Sequence, residues 1–81
     1  MAEREARAVP VARPPIALSA FLKLAGAART GGEAKAMCAA GRVRVNGRPE
    51  PRRGRSLVPG DHVEVDGVRL RVEHADEGGR P

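Results

Sequence analysis

Two short helices followed by antiparallel strands, an α+β fold, is what this 81-residue sequence predicts. Three observations lead there. Apolar residues first recur at helical spacing and then switch to strict alternation. Asn46-Gly47 punctuates the alternating part as a hairpin turn does, because a type I′ turn needs positive φ at both central residues, and Asp66-Gly67 joins two further strands. Gly26 sits near the end of the first helical pattern, and Gly41 is placed to end the second in a left-handed cap.

Taken in order, Leu18, Phe21, Leu22 and Ala25 fall at i, i+3, i+4 and i+7, and Ser19 can accept a bond from an orphan amide. That predicts a helix from about 19 to 26. Ala34, Met37, Cys38 and Gly41 repeat the spacing and predict a second helix from about Gly31 to Ala40. Both are too short to stand alone in water. Val43 and Val45 then alternate with Arg42, Arg44 and Asn46 as a half-buried strand does. Pro49 and Pro51 restrict the return segment to a short edge strand or irregular chain. Pro59-Gly60-Asp61 reads as a turn, with strands expected over 62–66 and 68–72.

A chain of this size holds one core, so a cleft between lobes is not expected. The candidates for that core are Ile16, Leu18, Phe21, Leu22, Leu24, Met37, Val43, Val45, Leu57, Val58, Val63, Val65, Val68, Leu70 and Val72. Residues 1–14 are expected as a flexible arm, 15–74 as the folded domain and 75–81 as a flexible tail. No apolar run approaches the roughly 20 residues of a membrane helix. The first fifteen residues carry charges and prolines where a signal peptide has an apolar stretch, so a cytoplasmic protein is expected. Cys38 has no partner for a disulfide, and with only His62 and His74 beside it no metal-ligand spacing exists. No nucleophile and base come together, so neither a catalytic residue, a metal nor a cofactor is expected.

Charge is concentrated. Residues 42–55 hold six arginines (42, 44, 48, 52, 53, 55) against one acid, Glu50, which equals the net charge of +5 for the whole chain. From Gly60 onward six acids outnumber three arginines. Such a block of guanidinium groups is the footprint of a polyanion binder, since the arginine fork meets two phosphate oxygens at once. An ordinary solvated face is the bland alternative. For Arg42 and Arg44, strand amphipathicity asks for polar residues but not for arginine, which favours phosphate contact.

The second helix opens on Gly31-Gly32, two poor helix formers. With Thr30 as N-cap and Glu33 at the third helical position, the run forms a capping box. Bare glycines leave backbone N–H groups open at the positive end of the helix dipole, where a phosphate can come close. The other reading is that the pair only lets the chain turn. Glu33 would repel an anion unless its carboxylate folds back to the N-cap amide.

The run "FLKLAGAARTGGEAKAMCAAGRVRVNGRPEPRRGRSLVPGDHVEV", residues 21–65, closely resembles the S4 RNA-binding domain, in particular small stand-alone bacterial S4 proteins with FLK, GGEAK, VNG, RRGR and PGD in that order. The resemblance implies an αα hairpin packed on a small, mostly antiparallel sheet, of the kind that binds structured RNA in ribosomes, tRNA synthetases and pseudouridine synthases. It implies an RNA-facing surface at Lys23, Thr30, Gly31, Gly32, Lys35, Asn46 and Gly47, with Arg52, Arg53 and Arg55 beside it. The chain departs from the broader family at Ala17-Leu18-Ser19, where Arg-Leu-Asp is common, and at Gly31, where an arginine is common.

Phe21 is the only aromatic, and its spacing places it in the core. Unpaired bases therefore find no stacking platform, and the chain should read backbone and shape. The expected partner is structured RNA, ribosomal RNA or tRNA, on the ribosome or one of its subunits, bound by a monomer away from any membrane. A ubiquitin-like sulfur carrier is the alternative, since VNGRPEP, VPGDHVEV and Gly78-Gly79 are similar to that family's ending. Arg80-Pro81 after the glycines and the lack of an opening hairpin oppose it. A DNA-binding helix-turn-helix is opposed by Ala36, Ala39 and Ala40, which offer a second helix nothing to read bases with.

Overall fold

The computed structural model describes residues 6–75. Nine elements follow one another: β1 (Arg7–Val11), β2 (Ile16–Ala17), α1 (Leu18–Leu24), α2 (Gly31–Ala39), β3 (Val43–Val45), β4 (Arg48–Pro49), β5 (Ser56–Leu57), β6 (His62–Val65) and β7 (Val68–His74). Five strands form one mixed sheet in the order β1-β7-β6-β3-β4, and β2 pairs with β5 in a separate antiparallel ribbon. The fold is α+β, as expected.

Each helix ends as its glycine predicts. In α1 the N–H groups of Gly26 and Ala27 donate to Lys23 O and Leu22 O, and in α2 those of Gly41 and Arg42 donate to Cys38 O and Met37 O. Both are Schellman closures, with φ of 80° at Gly26 and 78° at Gly41 that a side chain would oppose. The start of α1 differs from expectation. Its N-cap is Ala17, without a side-chain cap, and Ser19 lies inside the helix. The orphan amides of Leu18 and Ser19 donate instead to the carbonyls of Arg55 and Arg53, at 2.8 and 2.9 Å. A loop far along the chain thus does the work that a local serine was expected to do.

Alternation in the strands sorts the sheet into two faces. Val43, Val45, Val63, Val65, Leu70, Val72, Val9 and Val11 are buried in one cluster with Leu18, Phe21, Leu22, Ala34, Met37 and Cys38 of the helices. The helices therefore cover the valine face and leave the other to solvent. Three expected core residues stay outside: Leu24, Val58 and Val68 are 54, 49 and 53 % exposed. Leu24 sits off the stripe of Leu18, Phe21 and Leu22, and Val68 follows the β6–β7 turn. The type I′ turn predicted at Asn46-Gly47 forms, with φ of 53° and 86°, and the expected join at Asp66-Gly67 takes the same form, with 49° and 83°.

The expected arm over 1–14 is corrected for residues 7–11, which form β1 and lie parallel to β7, with Val9 opposite Val72. Pro10 hid this strand in the sequence. At the edge of a sheet a missing N–H is tolerated, and Val9 and Val11 supply the inward apolar residues. The tail expected over 75–81 lies, beyond Ala75, outside the described residues.

Candidate nucleic-acid interface

The N-terminus of α2 is built as a capping box with one displacement. Thr30 Oγ1 accepts the N–H of Glu33 at 3.0 Å. The Glu33 carboxylate folds back, not to the amide of Thr30 but to that of Arg29, at 2.6 Å. With Thr30 in an extended conformation, the amide one residue earlier is the one presented to it. Gly31 and Gly32 occupy the first two helical positions. A Cβ on Gly31 would meet nothing within 4 Å, and one on Gly32 only Thr30 Oγ1 at 3.9 Å. Neither has positive φ, so neither conformation nor packing requires glycine at these positions. Their consequence is a bare backbone. Lys35 stands exposed one turn beyond Gly31, and Lys23 is exposed in the last turn of α1.

The second group lies at the other end of α1. Residues 52–55 lie against its start through the Arg53 and Arg55 carbonyls. Seven residues of helix span about 10 Å, which separates this loop from the end of α1 that leads to α2. Glu50, at 5 % exposure, is the one buried charged residue among those described. Its Oε2 accepts from Arg52 N and Nε at 3.1 and 3.0 Å, and its Oε1 from Arg55 Nη1 at 2.9 Å. Hydrogen bonds from Arg52 and then Arg55 hold the carboxyl at about 2, far below its ordinary range. Arg52 stays 75 % exposed despite this anchor. Arg53 is exposed, and among the described residues it has no ion-pair partner. Arg52, Gly54, Arg55 and Ser56 line an open depression.

The hairpin residues divide. Asn46 uses its side chain inside the protein: Oδ1 accepts the N–H of His62 at 2.9 Å, and Nδ2 donates to Asp61 Oδ1 at 3.1 Å. It fastens the β3–β4 turn to the start of β6. Arg42 is bound to Asp66, which raises its already high pKa and lowers that of the aspartate, chiefly through their hydrogen bonds. Arg44 pairs in register with Glu64, points to the open face and donates to Gly47 O at 3.2 Å. The sheet thus stands between Arg44 and the helices. Gly47 provides the second positive φ of the turn.

Two exposed cations near these groups, Arg29 and Arg48, were not among the RNA-facing residues expected from the sequence, although Arg48 was counted in the basic block. Arg29 immediately precedes the Thr30 cap, a position that could have singled it out. Arg48 lies opposite Val45 in the edge strand β4, between the hairpin tip and the arginine loop. Among the described residues no group of three or more His, Cys, Asp or Glu side chains is arranged to hold a metal, and no helix is long and apolar enough to cross a membrane.

Residues 9–73 match the family model of the S4 domain. The chain belongs to the S4 domain family. This S4 domain is 48 % identical over 52 residues, covering 64 % of the chain and 73 % of the relative, to the probable ribosome maturation protein RlbA of Bacillus subtilis (strain 168). No solved structure matches it. S4 domains are RNA-binding modules, and the matched span takes in both helices and all of the sheet except the outer ends of β1 and β7.

Proposed function

We propose that this S4 domain is a non-enzymatic module that docks on structured RNA, ribosomal RNA or tRNA, in the cytoplasm and in association with the ribosome. The observation that carries the reading concerns Glu50. It is the single acid between Arg42 and Arg55, and it is buried, so the segment presents cations alone to an approaching polyanion. Phe21 is fully buried, which leaves phosphate and shape rather than base stacking as the means of recognition. The ribosome enters through the similarity to a protein named for ribosome maturation.

In this reading Arg52, Arg53 and Arg55, with Arg48, make one phosphate-binding group. Thr30, Gly31, Gly32 and Lys35, with Arg29 and Lys23, make another. Gly47 extends the first group at the hairpin tip, Arg44 offers a further cation on the open face of the sheet, and Arg42 and Asn46 hold the frame on which the group stands. The ubiquitin-like carrier alternative loses ground to the S4 match. The two strands before α1 also pair with β7 and β5 and not with each other. Crosslinking in cells followed by sequencing of the attached RNA tests the proposal. Enrichment of ribosomal RNA or tRNA supports it; recovery of messenger RNA alone, or of no RNA, contradicts it.

A further inference from the structure

A carboxylate inside a basic loop lowers the very charge that draws RNA, and burying it costs solvation free energy unless donors replace the lost water. Glu50 nevertheless sits at the centre of the loop with both oxygens engaged. Its own N–H donates to Val43 O at 3.0 Å, which fixes it to β3. The carbonyls of Arg53 and Arg55 fix the loop to α1. Glu50 is therefore the point from which a strand and a helix together set where two guanidinium groups stand. Each keeps most of its donors free, since Arg52 gives Glu50 one edge and Arg55 one nitrogen.

We infer that Glu50 is a positioning residue for RNA binding: it holds Arg52 and Arg55 in a fixed arrangement, so that phosphates meet a preformed pair rather than two mobile side chains. The inference rests on the proposal that this loop contacts RNA. Its benefit is entropic. Side chains ordered before binding lose less freedom on binding, whereas unanchored arginines would be ordered by the RNA itself.

Electrostatics and positioning predict opposite signs for Glu50→Gln. Net charge alone rises from +5 to +6 and should tighten binding. Positioning predicts that the variant binds a folded ribosomal RNA hairpin about threefold to tenfold more weakly, the cost of ordering one or two side chains. Glu50→Asp keeps the charge and shortens the reach, and should weaken binding similarly. In an Arg52→Ala/Arg55→Ala background neither change should weaken binding further, because the groups that Glu50 positions are gone.

The measurement is fluorescence anisotropy on the full chain, with circular dichroism and thermal melting to establish folding, and with Arg53→Ala as reference. Should Glu50→Gln fail to fold, Glu50→Asp decides by the same cycle. A folded Glu50 variant that binds as tightly as the parent, or more tightly, while Arg53→Ala weakens binding, overturns the positioning role and leaves the loop as the interface. An equal loss with and without the two arginines also overturns it. Unchanged binding by Arg53→Ala and the Glu50 variants alike overturns the placement of the interface as well.

Discussion

Arg42 grips Asp66 with two nitrogens, Nε at 3.2 Å from Oδ1 and Nη2 at 2.6 Å from Oδ2, and so ties the end of α2 to the β6–β7 turn. Both side chains are half exposed, so the pair is screened by salt and contributes little to stability. The more useful consequence concerns RNA. Asp66 is half exposed and balances Arg42 alone, whereas the buried Glu50 is shared by two arginines, so Arg42 is the one with little charge left for a phosphate. Arg42→Gln should leave the salt dependence of RNA affinity nearly unchanged, whereas Arg53→Gln should lower its slope by about one unit. Equal slopes for the two variants would put Arg42 back among the residues that bind phosphate.

Gly31 and Gly32 have helical backbones with room for a Cβ, so alanine at either position should stabilise the fold, by up to about 1 kcal/mol. RNA binding should respond in the opposite direction. Gly32→Val, checked for folding by circular dichroism, should weaken it, because the side chain stands between the helix N-terminus and a phosphate. Undiminished binding by folded Gly32→Val across a salt titration rules out the phosphate seat.

Thr30→Ala should cost about 1 kcal/mol of stability in denaturant titration, since the Glu33 amide loses its acceptor, and Thr30→Ser should recover most of it. An alanine variant as stable as the parent would mean that water replaces the cap without loss.

The pH dependence of stability isolates Glu50. Hydrogen bonds from Arg52 and Arg55 hold its carboxyl at about 2 in the folded chain, against an ordinary value of 4.5. A folded value below the unfolded one means a contribution that is complete above the unfolded value and is lost as pH falls towards the folded one. The stability difference between the parent and Glu50→Gln should therefore be constant from neutral pH down to about 5 and close towards 2. The comparison sets aside Asp66, whose carboxyl is also lowered, because both chains share it. A gap that closes above pH 5, or persists unchanged at the acid end, contradicts this origin.

What was legible in the sequence was local. Thr30 at the N-cap, Gly26 and Gly41 at the helix ends and the turns at Asn46-Gly47 and Asp66-Gly67 follow from residues within a few positions of one another. What was not legible depends on distant chain. Ser19 gave way as a cap because carbonyls from residues 53 and 55 reach α1, and β1 was hidden because its partner is the last strand. The same holds for the proposed interface. Arginine composition marked the loop, but that Glu50 is buried beneath it, and that Arg42 and Asn46 are engaged with Asp66 and Asp61, depends on packing between separated elements.

One competition experiment decides whether this loop recognises RNA backbone. A folded ribosomal RNA hairpin and an unstructured strand of the same composition compete for the parent chain and for Arg52→Ala/Arg53→Ala/Arg55→Ala, over a salt series. With its one Phe buried and no Trp or Tyr to stack on bases, the parent should prefer the hairpin, and the triple variant should show a flatter salt dependence, by about one unit for each phosphate it no longer neutralises. Equal or tighter binding to the unstructured strand, or an unchanged slope in the triple variant, would contradict recognition of RNA backbone by this loop.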